Sequence, residues 1–446
     1  MRRPPGPRGM PLLGMMPALR RDPLGVFAGA ARTFGDVAYL KIGPRHGYLV
    51  TNPDDIRHVL QDNARNYHKS PLYEKLREPL GNGLLTSEDA HWLRQRRMAQ
   101  PAFHRQRVEE LASIMADTAR ETATRWEAIA GRGEPVDVAE EMMRLTQTIV
   151  LRTLLGSELG PLAGELDRAW ALVNEHIGES FWSLGITDKW PTPKNRRFRR
   201  ALAVLDRAVF HLIDERRRDG RETNDLLSML MAARDEDTGQ GMTDGQLRDE
   251  VMTILLAGHE TTSLALAWTW YLLSEHAEVE ERLENELDTV LAGRWPAYSD
   301  LGSLPYTRMV IDEALRLYPP AWGFSRQAMA PDTIRGYDLP QGWLVFIIPF
   351  VVHRLEQYWD DPEQFDPDRF TPARSAARPK LAYLPFGAGP RQCIGNQFAI
   401  VEAQLVLAAL ASRYRLRLVP GHLVEAWPLI TLRPRCGINM TIWSRR

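Results

Sequence analysis

Phe386-Gly387-Ala388-Gly389-Pro390-Arg391-Gln392-Cys393-Ile394-Gly395 sets a lone cysteine among glycines, just ahead of a run with helical spacing. Phe398, Val401, Leu405 and Ala408 recur on one face, which predicts a helix over 396–411. A thiol beside a helix start meets unpaired backbone N–H groups and the positive end of the helix dipole, and Arg391 adds a full charge. The pattern therefore favours a thiolate. Gly387, Gly389 and Gly395 let the backbone turn back beneath the sulfur, with no Cβ in the way of a flat ligand.

No second Cys or His stands close to Cys393, so the usual closed zinc site does not fit. A single thiolate on a tight loop suits the axial position of haem iron, where sulfur pushes electron density onto the metal. In an arbitrary sequence a lone Cys is more often a packing thiol. Here the whole pattern FxxGxRxCxG is present, at Phe386, Gly389, Arg391, Cys393 and Gly395. It resembles the haem-binding loop of the cytochrome P-450 family. The resemblance implies a mainly α-helical fold with small β-sheets, a single haem domain over 1–446, and haem b held through Cys393, Phe386, Gly387 and Gly395.

Composition agrees with a large-cored globular chain: 446 residues, 44% hydrophobic and 25% charged. A net charge of -1 argues against nucleic-acid binding through global positive charge. Cys393 and Cys436 are the only cysteines, so no disulfide framework is expected; Cys436 reads as structural. The Met1-Arg2-Arg3-Pro4-Pro5 start carries no apolar stretch of signal-peptide type, and no run of eighteen apolar residues occurs. A cytoplasmic, soluble bacterial-type protein without a membrane span is the expectation.

Along the chain, Asp22-Pro23 caps a helix ended by Gly35, and strands at 37–42 and 48–50 flank a Gly43–Gly47 turn. Asn52-Pro53 caps a short helix through Leu60, and a further helix is expected over 90–97. On it Trp92 and Arg96 stand four apart, able together to donate to one carboxylate. The family uses such a WxxxR pair on a haem propionate. Arg94, Arg97, Arg105 and Arg107 add a basic patch, which would steer an acidic electron-donor protein. Phe181-Trp182 and Trp190-Pro191 interrupt the helical region near where the family roofs its substrate.

Thr243-Asp244-Gly245-Gln246 is a capping box that opens a helix extending to about Ser274, roughly 48 Å at 1.5 Å per residue. At its centre lies Ala257-Gly258-His259-Glu260-Thr261-Thr262, after the apolar run 251–256. Carboxylate and hydroxyls beside that run need partners. The Thr261 hydroxyl reaches the Ala257 carbonyl four residues back, and small residues let a flat macrocycle approach. The stretch resembles the family's AGxET motif, which implies that Thr261 handles protons for bound oxygen and Glu260 relays them from solvent. The intact acid–alcohol pair implies turnover with O2 rather than with peroxide. His259 faces elsewhere and receives no catalytic role.

Glu313 and Arg316 form an ExxR pair, followed by Phe365-Asp366-Pro367-Asp368-Arg369-Phe370. By resemblance Glu313, Arg316 and Arg369 form a buried structural triad, while Arg326 and Arg391 bind propionates. Strand composition at 333–334 and 343–348 places both with the N-terminal hairpin. His353 reads as a packing or hydrogen-bonding residue. Leu84, Leu85, Ala321, Trp322, Phe324, Leu429 and Ile430 fall where the family lines its pocket, so the substrate is expected to be hydrophobic.

These readings imply a monooxygenase that inserts one atom of O2 into a C–H bond. A separate ferredoxin or flavodoxin with its NAD(P)H-dependent reductase supplies electrons, with no fused reductase, and the protein acts as a monomer. A fatty acid or terpenoid is favoured over a steroid or macrocycle. The alternatives are coupling, ring closure or desaturation on the same scaffold, or a non-catalytic haem sensor.

Overall fold

The computed structural model describes residues 1–156, 163–181, 190–219 and 225–445. Helix α1 (Pro23–Phe34) begins on the Asp22 carboxylate, which accepts the Gly25 N–H at 2.8 Å. Pro23 sits at the first helical position, where no N–H partner is needed. The chain then forms β1 (Val37–Ile42) and β2 (Arg45–Val50), paired antiparallel with Tyr39 opposite Tyr48. After the helix Pro53–Arg57, the turn His58–Asp62 widens to π geometry, so the regular helix stops short of Leu60.

Tyr48, Leu49 and Val50 are fully buried because β2 is an interior strand. The five-stranded sheet runs β1-β2-β5-β4-β3, with β3 (Tyr67–Lys69), β4 (Phe324–Ala328) and β5 (Leu344–Ile347). It stitches the first seventy residues to a segment almost three hundred further on, and Lys69 stands opposite Arg326. The expectation for residues 333–334 is corrected here. Asp332–Ile334 pairs with Tyr337–Leu339 as a separate hairpin, because Arg335 and Gly336, both with positive φ, turn the chain back on itself.

Helices α2 (Asp89–Ala99), α3 (Arg105–Ala130), α4 (Val138–Leu155), α5 (Ala163–Phe181) and α6 (Pro193–Asp219) precede the long α7 (Asp244–Glu275). The α7 capping box is complete: Thr243 Oγ1 accepts the Gln246 N–H at 3.3 Å, and Gln246 accepts the Thr243 N–H at 2.9 Å. Apolar residues surround α7 on most faces, which is what a helix through the centre of a domain requires. It packs on α4, while α8 (Pro305–Leu317) and α9 (Asn396–Ala411) close the other side. Every residue from Ala403 to Ala411 is buried, and Trp126, Trp268 and Trp270 fill the centre of the main core. Small β-hairpins near the C-terminus complete the fold, including β6 (Ala426–Pro428) with β7 (Leu432–Pro434).

Trp190 is 61% exposed, so it neither lines the cavity at Cys393 nor packs in the core, and Trp182 lies outside the described residues. Cys436 sits exposed in a turn rather than in the core. Among the described residues no helix is long and apolar enough to cross a membrane.

Candidate active site

The Cys393 N–H donates to the Phe386 carbonyl at 3.0 Å, folding the loop into a tight bend two residues before the Gly395 cap of α9. The sulfur opens onto a cavity of about 410 Å³. Ala257, Gly258, Glu260 and Thr261 of α7 line that same cavity. Burial deep in the protein pushes the Cys393 thiol pKa up, while the Gly395 N–H and the Arg96 charge pull it back. Arg391, two residues before the cysteine, does not supply that charge. In the structure Arg391 instead pairs with Glu88, donates to the Ser87 carbonyl at 2.8 Å and stacks 3.9 Å above the Trp92 ring.

Lys69, Arg96, Arg326 and Arg391 all line the cavity. Among the carboxylates, Glu88 meets this group directly, pairing with Arg391 and accepting the Lys69 backbone N–H at 2.8 Å. Burial lowers the Arg391 pKa to about 10, helped by repulsion from Arg326 and Arg96. Burial also holds the Lys69 pKa well below its usual value, with further repulsion from Arg391 and Arg326. Such a surplus of desolvated cations is costly without anions. Two propionate carboxylates at the edge of a haem b fit that surplus, and the thiol with the small residues Ala257 and Gly258 suits its faces. Lys69 was not legible in the sequence; only its pairing opposite Arg326 across β3 and β4 brings it here.

On α7 the Thr261 hydroxyl donates to the Ala257 carbonyl at 2.7 Å, as its spacing predicts. Glu260 is 4% exposed, and its Oε1 accepts from Arg433 Nε at 2.9 Å and from the Thr431 hydroxyl. Arg433 keeps 29% of its side chain exposed, so this ion pair reaches from the cavity wall towards the surface through β7. Neither partner carried a signal in the sequence. Glu402 of α9 is fully buried, and burial raises its pKa well above the ordinary carboxyl range against a weaker pull from the Thr262 hydroxyl.

Behind the cysteine loop, Glu313 accepts from Arg316 at 2.6 and 2.7 Å, from Arg369 Nε at 3.2 Å and from the Asp366 N–H at 3.0 Å. Arg316 also reaches the carbonyls of His353, Pro362 and Gln364. His353 Nδ1 donates to the Arg316 carbonyl, and Nε2 accepts the Leu384 N–H at 3.0 Å. Desolvation holds its pKa well below the usual value. The triad is thus tied through His353 to residue 384, two positions before Phe386.

All the residues expected to bind the cofactor line the one cavity: Trp92, Arg96, Ala257, Arg326, Phe386, Gly387, Arg391, Cys393 and Gly395. Leu84, Leu85, Ala321, Phe324, Leu429 and Ile430 line it too. Trp322 does not. It turns into the N-terminal core against Phe27, with its indole N–H on the Leu429 carbonyl at 2.9 Å. Leu76, Leu226, Thr253 and Ile254 add walls that spacing could not reveal. The expected basic patch is weaker than its sequence suggests, since Arg94, Arg97 and Arg107 pair with Asp235, Asp237 and Glu110.

A mainly helical domain with a cysteine loop opposite an acid–alcohol pair, and a cation-rimmed apolar cavity between them, defines a haem-thiolate oxidoreductase. The sequence matches the cytochrome P450 family model over residues 4–431, and the chain belongs to that family, whose members bind haem b. It is 40% identical to cyclooctatin synthase of Streptomyces melanosporofaciens over 430 residues, covering 96% of this chain and 92% of the relative. Cyclooctat-9-en-7-ol 5-monooxygenase of the same organism is 40% identical, with 93% of this chain and 90% of the relative covered. Pentalenene oxygenase of Streptomyces avermitilis is 37% identical, with 98% and 97% covered. The crystal structure of the cytochrome P450DA haem domain superposes with a TM-score of 0.90 at 28% identity, covering 99% of this chain and 98% of that one.

Proposed function

We propose that this monooxygenase hydroxylates a cyclic terpenoid within the cavity between Cys393 and Thr261. Haem bound there supplies the activation of O2 that puts one oxygen atom into a C–H bond and releases the other as water. Cys393 holds it through the sulfur, and Arg96, Arg326 and Arg391, with Trp92, hold its carboxylates. The Thr261 hydroxyl and its Ala257 acceptor steady a proton donor beside the reacting oxygen. Glu260, carried by Arg433 and Thr431, brings protons from outside. A separate ferredoxin or flavodoxin with its NAD(P)H-dependent reductase delivers electrons at the cysteine side.

The observation that carries this reading is the Cys393 sulfur and the Thr261 hydroxyl lining one cavity together with Lys69, Arg96, Arg326 and Arg391. The wall away from these cations includes Leu76, Leu84, Leu85, Leu226 and Ile254, which favour an uncharged polycycle over a fatty-acid carboxylate. The names of relatives that act on pentalenene and cyclooctat-9-en-7-ol support the same choice. The test has two parts. Cys393→Ala should abolish the red-shifted absorption of the reduced, carbon monoxide-bound protein. Titration with cyclic terpene hydrocarbons should give the spectral change of substrate binding at lower concentration than straight-chain fatty acids, and the reverse order would overturn the assignment.

A further inference from the structure

The cavity wall at Leu84-Leu85 is gripped by two titratable side chains with no part in the proposed proton path. The Leu84 N–H donates to Glu250 Oε2 on α7 at 3.1 Å. From the opposite side, Lys69 Nζ of β3 donates to the Leu84 carbonyl at 3.4 Å and to the Leu85 carbonyl. One residue pair therefore has both its amide donor and its acceptors held by side chains, one from α7 and one from β3. The preceding turn fits α7 equally closely. Asn82 N–H donates to Asp249 Oδ2 at 2.8 Å. A Cβ at Gly83 would lie 2.4 Å from Thr253 Oγ1 and 2.7 Å from the Asp249 carbonyl, so only glycine allows this approach. Arg248 continues the contact to the roof, bonding Asp206 of α6 at 2.8 Å and Asp249 at 2.9 Å.

We infer that Glu250 is a positioning residue: with Lys69 opposite, it clamps Leu84-Leu85 in place as a ligand-contacting wall of the cavity. The inference rests on reading this cavity as the substrate site. Glu250 is 1% exposed, and burial pushes its pKa up to about 8, with Asp249 adding to the rise and Lys69 and the Leu84 N–H opposing it. A protonated carboxyl keeps one oxygen able to accept the Leu84 N–H. Glutamine has the same shape and the same acceptor, so it should replace glutamate here, whereas a shorter side chain should not.

The test is amide hydrogen exchange at Leu84 in the haem-loaded protein, together with spectral titration with pentalenene. Glu250→Ala should speed Leu84 exchange roughly tenfold, the loss of about one net hydrogen bond. Glu250→Gln should restore wild-type exchange. Where Glu250→Ala does not fold, Glu250→Asp, one methylene short, serves instead and should exchange as fast. Pentalenene should bind several-fold more weakly to the fast-exchanging variants and normally to Glu250→Gln. Unchanged exchange in the truncated variants, or no rescue by glutamine, overturns the clamp. Fast exchange with unaltered pentalenene affinity overturns Leu84-Leu85 as a ligand wall. No pentalenene binding by wild type, with the exchange pattern intact, counts against the proposed substrate class and not against the clamp.

Discussion

Replacing Glu313 by glutamine tests how the cysteine loop is held. The carboxylate accepts four hydrogen bonds, two from Arg316, one from Arg369 and one from the Asp366 backbone, and neither arginine is more than 3% exposed. Glutamine keeps the shape but removes the charge and turns an NH2 group towards a guanidinium. Arg316 is then left with carbonyl partners alone, and Arg369 with the Asp361 carbonyl and the Asp366 carboxylate 4.0 Å away. Removing one member of a buried ion pair costs roughly 3–5 kcal/mol. Against a total stability of about 5–15 kcal/mol for a typical domain, that is a large share. The loss should reach the sulfur, because Arg316 bonds to His353, His353 to Leu384, and the next residues lead to Phe386, which accepts the Cys393 N–H. Urea unfolding followed by near-ultraviolet circular dichroism should show the destabilisation. The red-shifted carbon monoxide band should disappear at lower urea than the secondary structure does. A Glu313→Gln protein within roughly 0.5 kcal/mol of wild type, with its band surviving to the same urea concentration, would refute the reasoning.

His353→Phe preserves bulk but leaves the buried Leu384 N–H unpaired, which should cost roughly 1–3 kcal/mol in urea unfolding. Because folding holds the His353 pKa well below its unfolded value near 6.5, the unfolded chain takes up that proton first as pH falls. Wild-type stability should therefore decline below pH about 6.5, and the Phe variant should show a shallower decline over the same range. Gly389→Ala should abolish haem loading, since its Cβ would lie 1.8 Å from the Leu60 carbonyl at a φ of +71°. Wild-type haem content in the purified variant would contradict this. Thr261→Ala should raise the share of reducing equivalents released as hydrogen peroxide, measured against product formed with redox partners; tight coupling in that variant would remove Thr261 from the proton path.

Local spacing carried a large part of this protein. The helix over 396–411, the Thr243 capping box and the Thr261-to-Ala257 bond each depend on residues within four positions of one another, and a helix fixes such neighbours without help. The candidate cofactor residues were legible because their motifs sit on or beside single elements. What spacing could not give is everything joined across long stretches of chain. Lys69 joins the cation cluster only because β3 pairs with β4, and Glu260 meets Arg433 only because β7 packs against α7. Trp322 stands between cavity residues in sequence yet points the other way, since its neighbours Ala321 and Phe324 take the wall and leave it the N-terminal core. Gly387, Gly389 and Gly395 read alike as letters, but Gly387 and Gly389 have positive φ and only Gly389 lies hard against another strand of backbone. The sequence by itself determined the family, the central helix and the cysteine loop, because these are encoded in short-range pattern. Which charges face one another, and which apolar side chains form the wall, was decided by tertiary packing, where partners hundreds of residues apart are chosen by shape and by the cost of leaving a buried charge alone.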